Sequence, residues 1–198
     1  MGNSMASRFF RSPVMIFSTS IRTALLTDST YYSKNIGGPY LTIKTKSSIG
    51  DNTMSKLTLA QANTIINAAI DAARASDGPP IAVVVVDDGG HVKASQREDG
   101  ASMFRIDVSL GKAWGAVAMD TPSRKLAEKA KNNPSFIQAL TVTSGGRMLP
   151  NPGGVLIKES DGTIIGATGI SGDTGLSDEK FACAGIEAAG LISDAGTD

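Results

Sequence analysis

Few side chains in this chain of 198 residues could carry chemistry, because it holds one histidine, His91, and one cysteine, Cys183. A single histidine excludes every site that needs two. A single cysteine excludes an internal disulfide and a multi-cysteine zinc centre. His91 follows the turn sequence Asp87-Asp88-Gly89-Gly90, where an imidazole can serve as an iron ligand or a general base, or stand as an exposed polar residue. Arg97, in Arg97-Glu98-Asp99-Gly100, precedes a helical stretch carrying Lys112. An arginine and a lysine facing one corner would hold a carboxylate, which a guanidinium can clasp through two bonds. The alternative for Arg97 is a surface salt bridge to Glu98 or Asp99. Asp178, in the last helical stretch, is the second proton-transfer candidate beside His91.

The most unusual composition runs from Pro152-Gly153-Gly154 to Gly166-Ala167-Thr168-Gly169-Ile170-Ser171-Gly172-Asp173. Glycines in or beside strands mark bulges or close approach of another group. Backbone N–H groups at Gly169, Ser171 and Gly172, converging near a helix start, would suit an anion. The competing reading is that these glycines only permit tight packing of a helix on a sheet. No Gly-Lys-Ser/Thr follows, so a phosphate loop is not indicated. No Ser-His-Asp set has a justifying spacing, and no metal cluster is visible. Trp114 and Cys183 read as packing residues.

The elements that must position these groups follow from periodicity and caps. Thr58 and Gln61 have capping-box spacing, and apolar residues from Leu59 to Ala73 fall on one helical face, ended by Gly78-Pro79-Pro80. Ile81–Val86 is a β-branched run expected to be a strand buried on both faces, paired through the Asp-Asp-Gly-Gly turn with His91–Gln96. Ala101–Met119 is helical, with Gly111 and Gly115 four apart predicting close approach of another backbone. Thr121-Pro122 and Asn133-Pro134 each predict an N-cap followed by proline at the first helical position. Val155–Glu159 and Thr163–Ile170 flank the turn Ser160-Asp161-Gly162 as a second hairpin. Ser177 is expected to cap the last helix, with Asp178 and Glu179 on its N-terminal dipole. Strands joined as hairpins make the class α+β with an antiparallel sheet, not a doubly wound nucleotide fold.

Charge divides the chain. Residues 1–53 contain six basic and two acidic side chains, so the remainder, on a net charge of zero, sums to −4. An acidic domain without a basic face argues against nucleic acid as partner. Residues 1–27 have three arginines, many hydroxyl groups and no acid, the composition of a mitochondrial-type targeting segment. The alternatives are that the natural start is Met54 or that the segment is an ordered accessory. The expected division is therefore an extension over 1–53 and a domain over 54–198. No stretch is long and apolar enough for a membrane span. The cytoplasm is the expected location, with mitochondrial targeting as the alternative.

Val83–Asp87 with Gly90, then Arg97 and Asp99, then Gly111-Lys112-Ala113, resemble the GlcG/HbpS haem-binding family. So do Gly153-Gly154, Gly166, Gly169-Ile170-Ser171-Gly172 and Asp178. The resemblance covers about Leu57 to Leu191. It implies an α/β sandwich with a five-stranded antiparallel sheet flanked by helices, homo-oligomers, and haem or a related tetrapyrrole as ligand. Related domains occur at the end of corrinoid adenosyltransferases. In this reading Arg97 and Lys112 hold propionates and the backbone of Gly169, Ser171 and Gly172 lines the pocket. The iron ligand stays open among His91, a threonine, a tyrosine and a methionine. Two rivals stand beside it. One is an isomerase or lyase on a small keto or hydroxy acid, with Arg97 holding the carboxylate and Asp178 or His91 moving a proton. The other is a non-catalytic oligomeric scaffold.

Overall fold

In the computed structural model, which describes residues 57–197, helix α1 (Leu59–Ala75) starts at the expected capping box. The Thr58 hydroxyl accepts from the Gln61 N–H at 3.2 Å, and the Gln61 side chain accepts from the Thr58 N–H at 3.0 Å. The left-handed residue that ends the helix comes one position before the expected Gly78. Asp77, not Gly78, takes the left-handed conformation (φ 50°), and the N–H groups of Asp77 and Gly78 return to the carbonyls of Arg74 and Ala73. Aspartate tolerates this conformation better than most residues with a Cβ. The boundary expected at Met54 and the segment 1–27 lie outside the described residues.

Strands β1 (Ala82–Asp87) and β2 (Val92–Arg97) form the first hairpin, and β3 (Gly154–Lys158) and β4 (Ile164–Ser171) the second. With β5 (Ile192–Asp194) they make one antiparallel sheet in the order β2-β1-β4-β3-β5. The pattern of β1 explains its place. Val83 and Val85 join the core under α1 and α5, whereas Val84 and Val86 join the core under α2. A strand covered on both faces must be apolar at every position. β5 has only three residues, too few for periodicity to reveal, and the fifth strand was legible only through the family resemblance.

Helices α2 (Arg105–Ala118), α3 (Ser123–Asn132), α4 (Pro134–Thr143) and α5 (Gly175–Ala188) complete the fold. Helices α1 and α5 pack together over one sheet face, and α2 lies on the other with α3 beside it and α4 against α3. Two expected caps shift. Asn133 caps α4 as expected, but at α3 Pro122 itself is the cap residue, and the Thr121 hydroxyl donates to the Met119 carbonyl at 2.7 Å. At α5 the cap is Thr174, whose hydroxyl accepts from the Ser177 N–H at 3.2 Å. Ser177 therefore lies inside the helix and Asp178 one position further in. No described helix is long and apolar enough to cross a membrane.

Helix α2 sits on the sheet with almost nothing between them. Gly154 and Gly169 are directly paired across β3 and β4. A Cβ at Gly169 would stand 1.9 Å from the Ser109 carbonyl oxygen, and one at Gly154 would stand 2.5 Å from that of Lys112. Both positions lie against helix backbone, which cannot rotate out of the way. Gly169→Ala is therefore expected to cost about 3 kcal/mol or more, read as a lowered denaturation midpoint. In contrast, Thr168 on the same strand is fully buried and its hydroxyl has no partner among the described residues. Thr168→Val keeps the shape and removes the unpaired group, so a gain of about 1 kcal/mol is expected in the same denaturation assay.

Candidate functional site

The glycine-rich corner is filled by the protein itself. Lys112 projects from α2 into the interior with 2% exposure, and its ammonium donates to the Ile170 carbonyl at 2.7 Å and to Asp178 Oδ2 at 2.9 Å. Asp178 is equally buried, and its other oxygen accepts from the Asp173 N–H at 3.2 Å. Gly153 (φ 115°) walls the pair, since a Cβ there would stand 2.7 Å from the ammonium. Burial pushes the Asp178 carboxyl above its ordinary range, against the pull of the Lys112 charge and hydrogen bond. Lys112 thus joins α2 to α5 around the end of β4.

The expected ligand set does not converge. Gly169 lies under α2, and Gly172 presses on Pro80 and Ile81, where a Cβ would meet the Pro80 carbonyl at 2.7 Å. Ser171 is buried, and its hydroxyl accepts from Arg105, not from Arg97. Arg97 is exposed and donates to the Ala101 carbonyl. The surface pair expected for Arg97 is made by another residue. Glu98 binds Arg74 at 3.1 Å and accepts from the Ile81 N–H at 2.7 Å. His91 and Arg97 flank opposite ends of β2, roughly 20 Å apart at strand rise, so one small acid cannot touch both. Asp178 lies inside, on neither.

An open groove of about 650 Å³ lies elsewhere, on the face of α2 turned away from the sheet. The helix repeat puts Ser109, Lys112, Ala113 and Ala116 toward the sheet and Asp107, Gly111 and Trp114 toward the groove, with Leu110 at the boundary against the Val84–Val86 core. Gly111 meets another backbone, that of residues 147–149, as expected, whereas the close neighbour of Gly115 is the Met148 side chain. The Leu149 N–H donates to the Gly111 carbonyl at 3.0 Å, and a Cβ at Gly115 would stand 2.9 Å from Met148. That segment forms one wall and the β1–β2 turn another. Gly90 (φ 75°) lets the turn press on the indole, where a Cβ would stand 2.9 Å from Trp114 Nε1.

His91 stands at this groove, 83% exposed, with Nδ1 3.5 Å from Asp87 Oδ1. The same Asp87 oxygen accepts from the N–H groups of Gly89 and His91 at 3.0 and 2.9 Å, so one carboxylate holds both the turn and the histidine. Trp114 is only half-buried. It packs beside the cluster of Leu126, Ile137 and Met148, and the Arg147 guanidinium lies 4.3 Å from its ring centre. The residues that sequence reasoning missed are Arg147 and Phe104, and it assigned Trp114 to packing alone. Only the sequence Gly145-Gly146-Arg147 offered a signal, as an arginine on a glycine turn.

A second hollow of about 540 Å³ borders α5 near Cys183, Glu187 and the Arg124–Glu179 ion pair. Cys183 is half-buried and burial raises its thiol pKa, which suits the expected packing role. Among the described residues, no three His, Cys, Asp or Glu side chains are grouped to hold a metal ion.

The buried pair generates a direct expectation. Lys112→Met or Asp178→Asn leaves one buried group uncompensated, at a cost of about 3–5 kcal/mol. The double variant Lys112→Met/Asp178→Leu should recover much of this, since an apolar pair requires no charge in the interior. Urea titration of all three variants checks the order.

Comparison with known proteins agrees with this architecture. The chain is 30% identical over 129 residues to a 15.0 kDa protein from the dhaT–dhaS intergenic region of Citrobacter freundii, covering 65% of this chain and 89% of that one. It superposes on the crystal structure of a PduOC–haem complex with a TM-score of 0.62 and 27% identity, covering 68% of this chain and 96% of the other. A double mutant of Streptomyces reticuli HbpS superposes with a TM-score of 0.59 and 31% identity, over 70% of this chain and 90% of the other. Residues 57–187 match the family model described as haem degrading protein HbpS-like, and the chain belongs to that family.

Proposed function

We propose that this protein binds haem or a related tetrapyrrole in the α2 groove, with His91 as the iron ligand. The observation that carries the reading is the groove itself. It has the size of a cofactor site, apolar side chains such as Phe104, Val108, Trp114 and Leu149, and one imidazole at its edge. The residues present fit the group. The Asp87 carboxylate stands 3.5 Å away on the Nδ1 side of His91, which leaves Nε2 as the ring nitrogen turned to a metal. Bound haem would supply iron-centred redox chemistry, while the chain binds, orients and shelters the macrocycle. The haem complex of the related PduOC and the family description support the same ligand. We assign no ligand role to Lys112, whose ammonium is held inside by Asp178 and Ile170. The isomerase or lyase reading needs Arg97 to hold a carboxylate with Asp178 or His91 beside it, but Arg97 turns to the Ala101 carbonyl, Asp178 is closed off on Lys112, and His91 stands beyond the other end of β2. By family likeness the working unit is a homo-oligomer, which native mass spectrometry would count.

Titrating haemin into the protein and recording the Soret band tests the proposal. Wild type should bind at micromolar haemin with a shifted band. His91→Ala should weaken binding at least tenfold and lose the ligation-dependent shift, corresponding to about 1.4 kcal/mol or more. Arg97→Ala should leave the titration unchanged. No spectral change in wild type would overturn the assignment.

A further inference from the structure

Arg147 is exposed, and its surroundings differ from those of the ion-paired cations of the domain. Lys112, Arg124 and Lys158 pair with Asp178, Glu179 and Asp194, and Arg74 with Glu98. Arg147 lines the groove, yet no carboxylate pairs with it among the described residues. Its Nε donates to the Ser144 carbonyl at 3.0 Å, and its planar head lies over the Trp114 ring. The two outer nitrogens make no hydrogen bond to another described residue. Arg147 follows Gly145 and Gly146, both in the left-handed region (φ 67° and 78°) with open space where a Cβ would be. The segment carrying the guanidinium is therefore free of steric contacts on the glycine side.

A stacked, exposed cation on an indole is a weak contact, whereas a guanidinium on a carboxylate gains two charge-assisted hydrogen bonds. The indole that the guanidinium covers is the larger of the two aromatic side chains lining the groove, Trp114 and Phe104. Resting on the groove-binding reading above, we propose that Arg147 selects the ligand class: planar conjugated molecules that carry a carboxylate. The ligand ring takes the Trp114 face, and Arg147 swings aside to pair with the ligand's acid group. Asp107, the carboxylate that also lines the groove, repels that acid group and so directs it toward Arg147. Arg147 is thus a specificity-determining residue, its side chain joined to the rest of the domain only by the Ser144 carbonyl and the Trp114 ring among the described residues.

Trp114 is the only tryptophan in the sequence, so its emission reports this face alone. The probes are protoporphyrin IX, which has two carboxylates and no iron, and its dimethyl ester, which has neither. Quenching of Trp114 is titrated with each probe in wild type, Arg147→Ala and Arg147→Lys. Wild type should favour the acid over the ester at least tenfold. Arg147→Ala should lose that preference and bind the ester as tightly as wild type or more so, because the ring face is uncovered. Arg147→Lys should keep part of the preference, and all three proteins should melt together. If Arg147→Ala retains the full preference for the acid, the assignment to Arg147 fails while binding in the groove stands. If neither probe quenches Trp114 in wild type, both the groove reading and this one fail.

Discussion

The seat of α2 on the paired glycines of β3 and β4 is the constraint from which the rest of the domain follows. Because Gly154 and Gly169 offer no side chains, helix backbone reaches sheet backbone, and the helix can neither lift nor rotate without opening a void. That proximity aims Lys112 past the end of β4 at Asp178 on α5, so the two helical layers are joined through the sheet. A lysine this far inside is tolerable because its ammonium has a carboxylate and a carbonyl within 3 Å. The same rotation that buries Lys112 turns Gly111 and Trp114 outward. The tight interior and the open groove are two faces of one helix placement.

The groove is held by weaker means. Its walls are a hairpin turn organised by the single Asp87 carboxylate and the segment 147–149 laid on Gly111 and Gly115. Turns and short connecting segments open locally at less cost than the sheet and its helices. A site built where side chains can rearrange, against a wall that cannot, suits a ligand larger than a single side chain. The buried ion pairs lie away from the groove, and the Arg147 guanidinium, which has no carboxylate partner among the described residues, lies on the part that can move.

Much of the fold was legible in the chain because the determinants were local. The capping box at Thr58, the Asn133-Pro134 helix start, the two glycine turns and the uninterrupted apolar run of β1 each act within a few residues. Where local signals competed, the nearest good capper was not always the one used. Thr174 displaced Ser177 at α5, and Asp77 took the left-handed position that Gly78 seemed to offer. Hydrogen bonds of the final turn decide those details, and residue type alone does not order them.

The sequence by itself determined the α+β class, the hairpins, four of the five strands and the close approach of another backbone at Gly111, since periodicity and turn chemistry are short-range. Only the tertiary structure decided what the charged residues do. Lys112 and Asp178 are 66 positions apart, and nothing near either one indicates that it is buried. His91, Trp114 and Arg147 come from a turn, a helix and a loop, and meet because α2 is seated where the glycines put it. A side chain's type states which bonds it can make; the packing of distant elements states whether those bonds close inward or face a ligand.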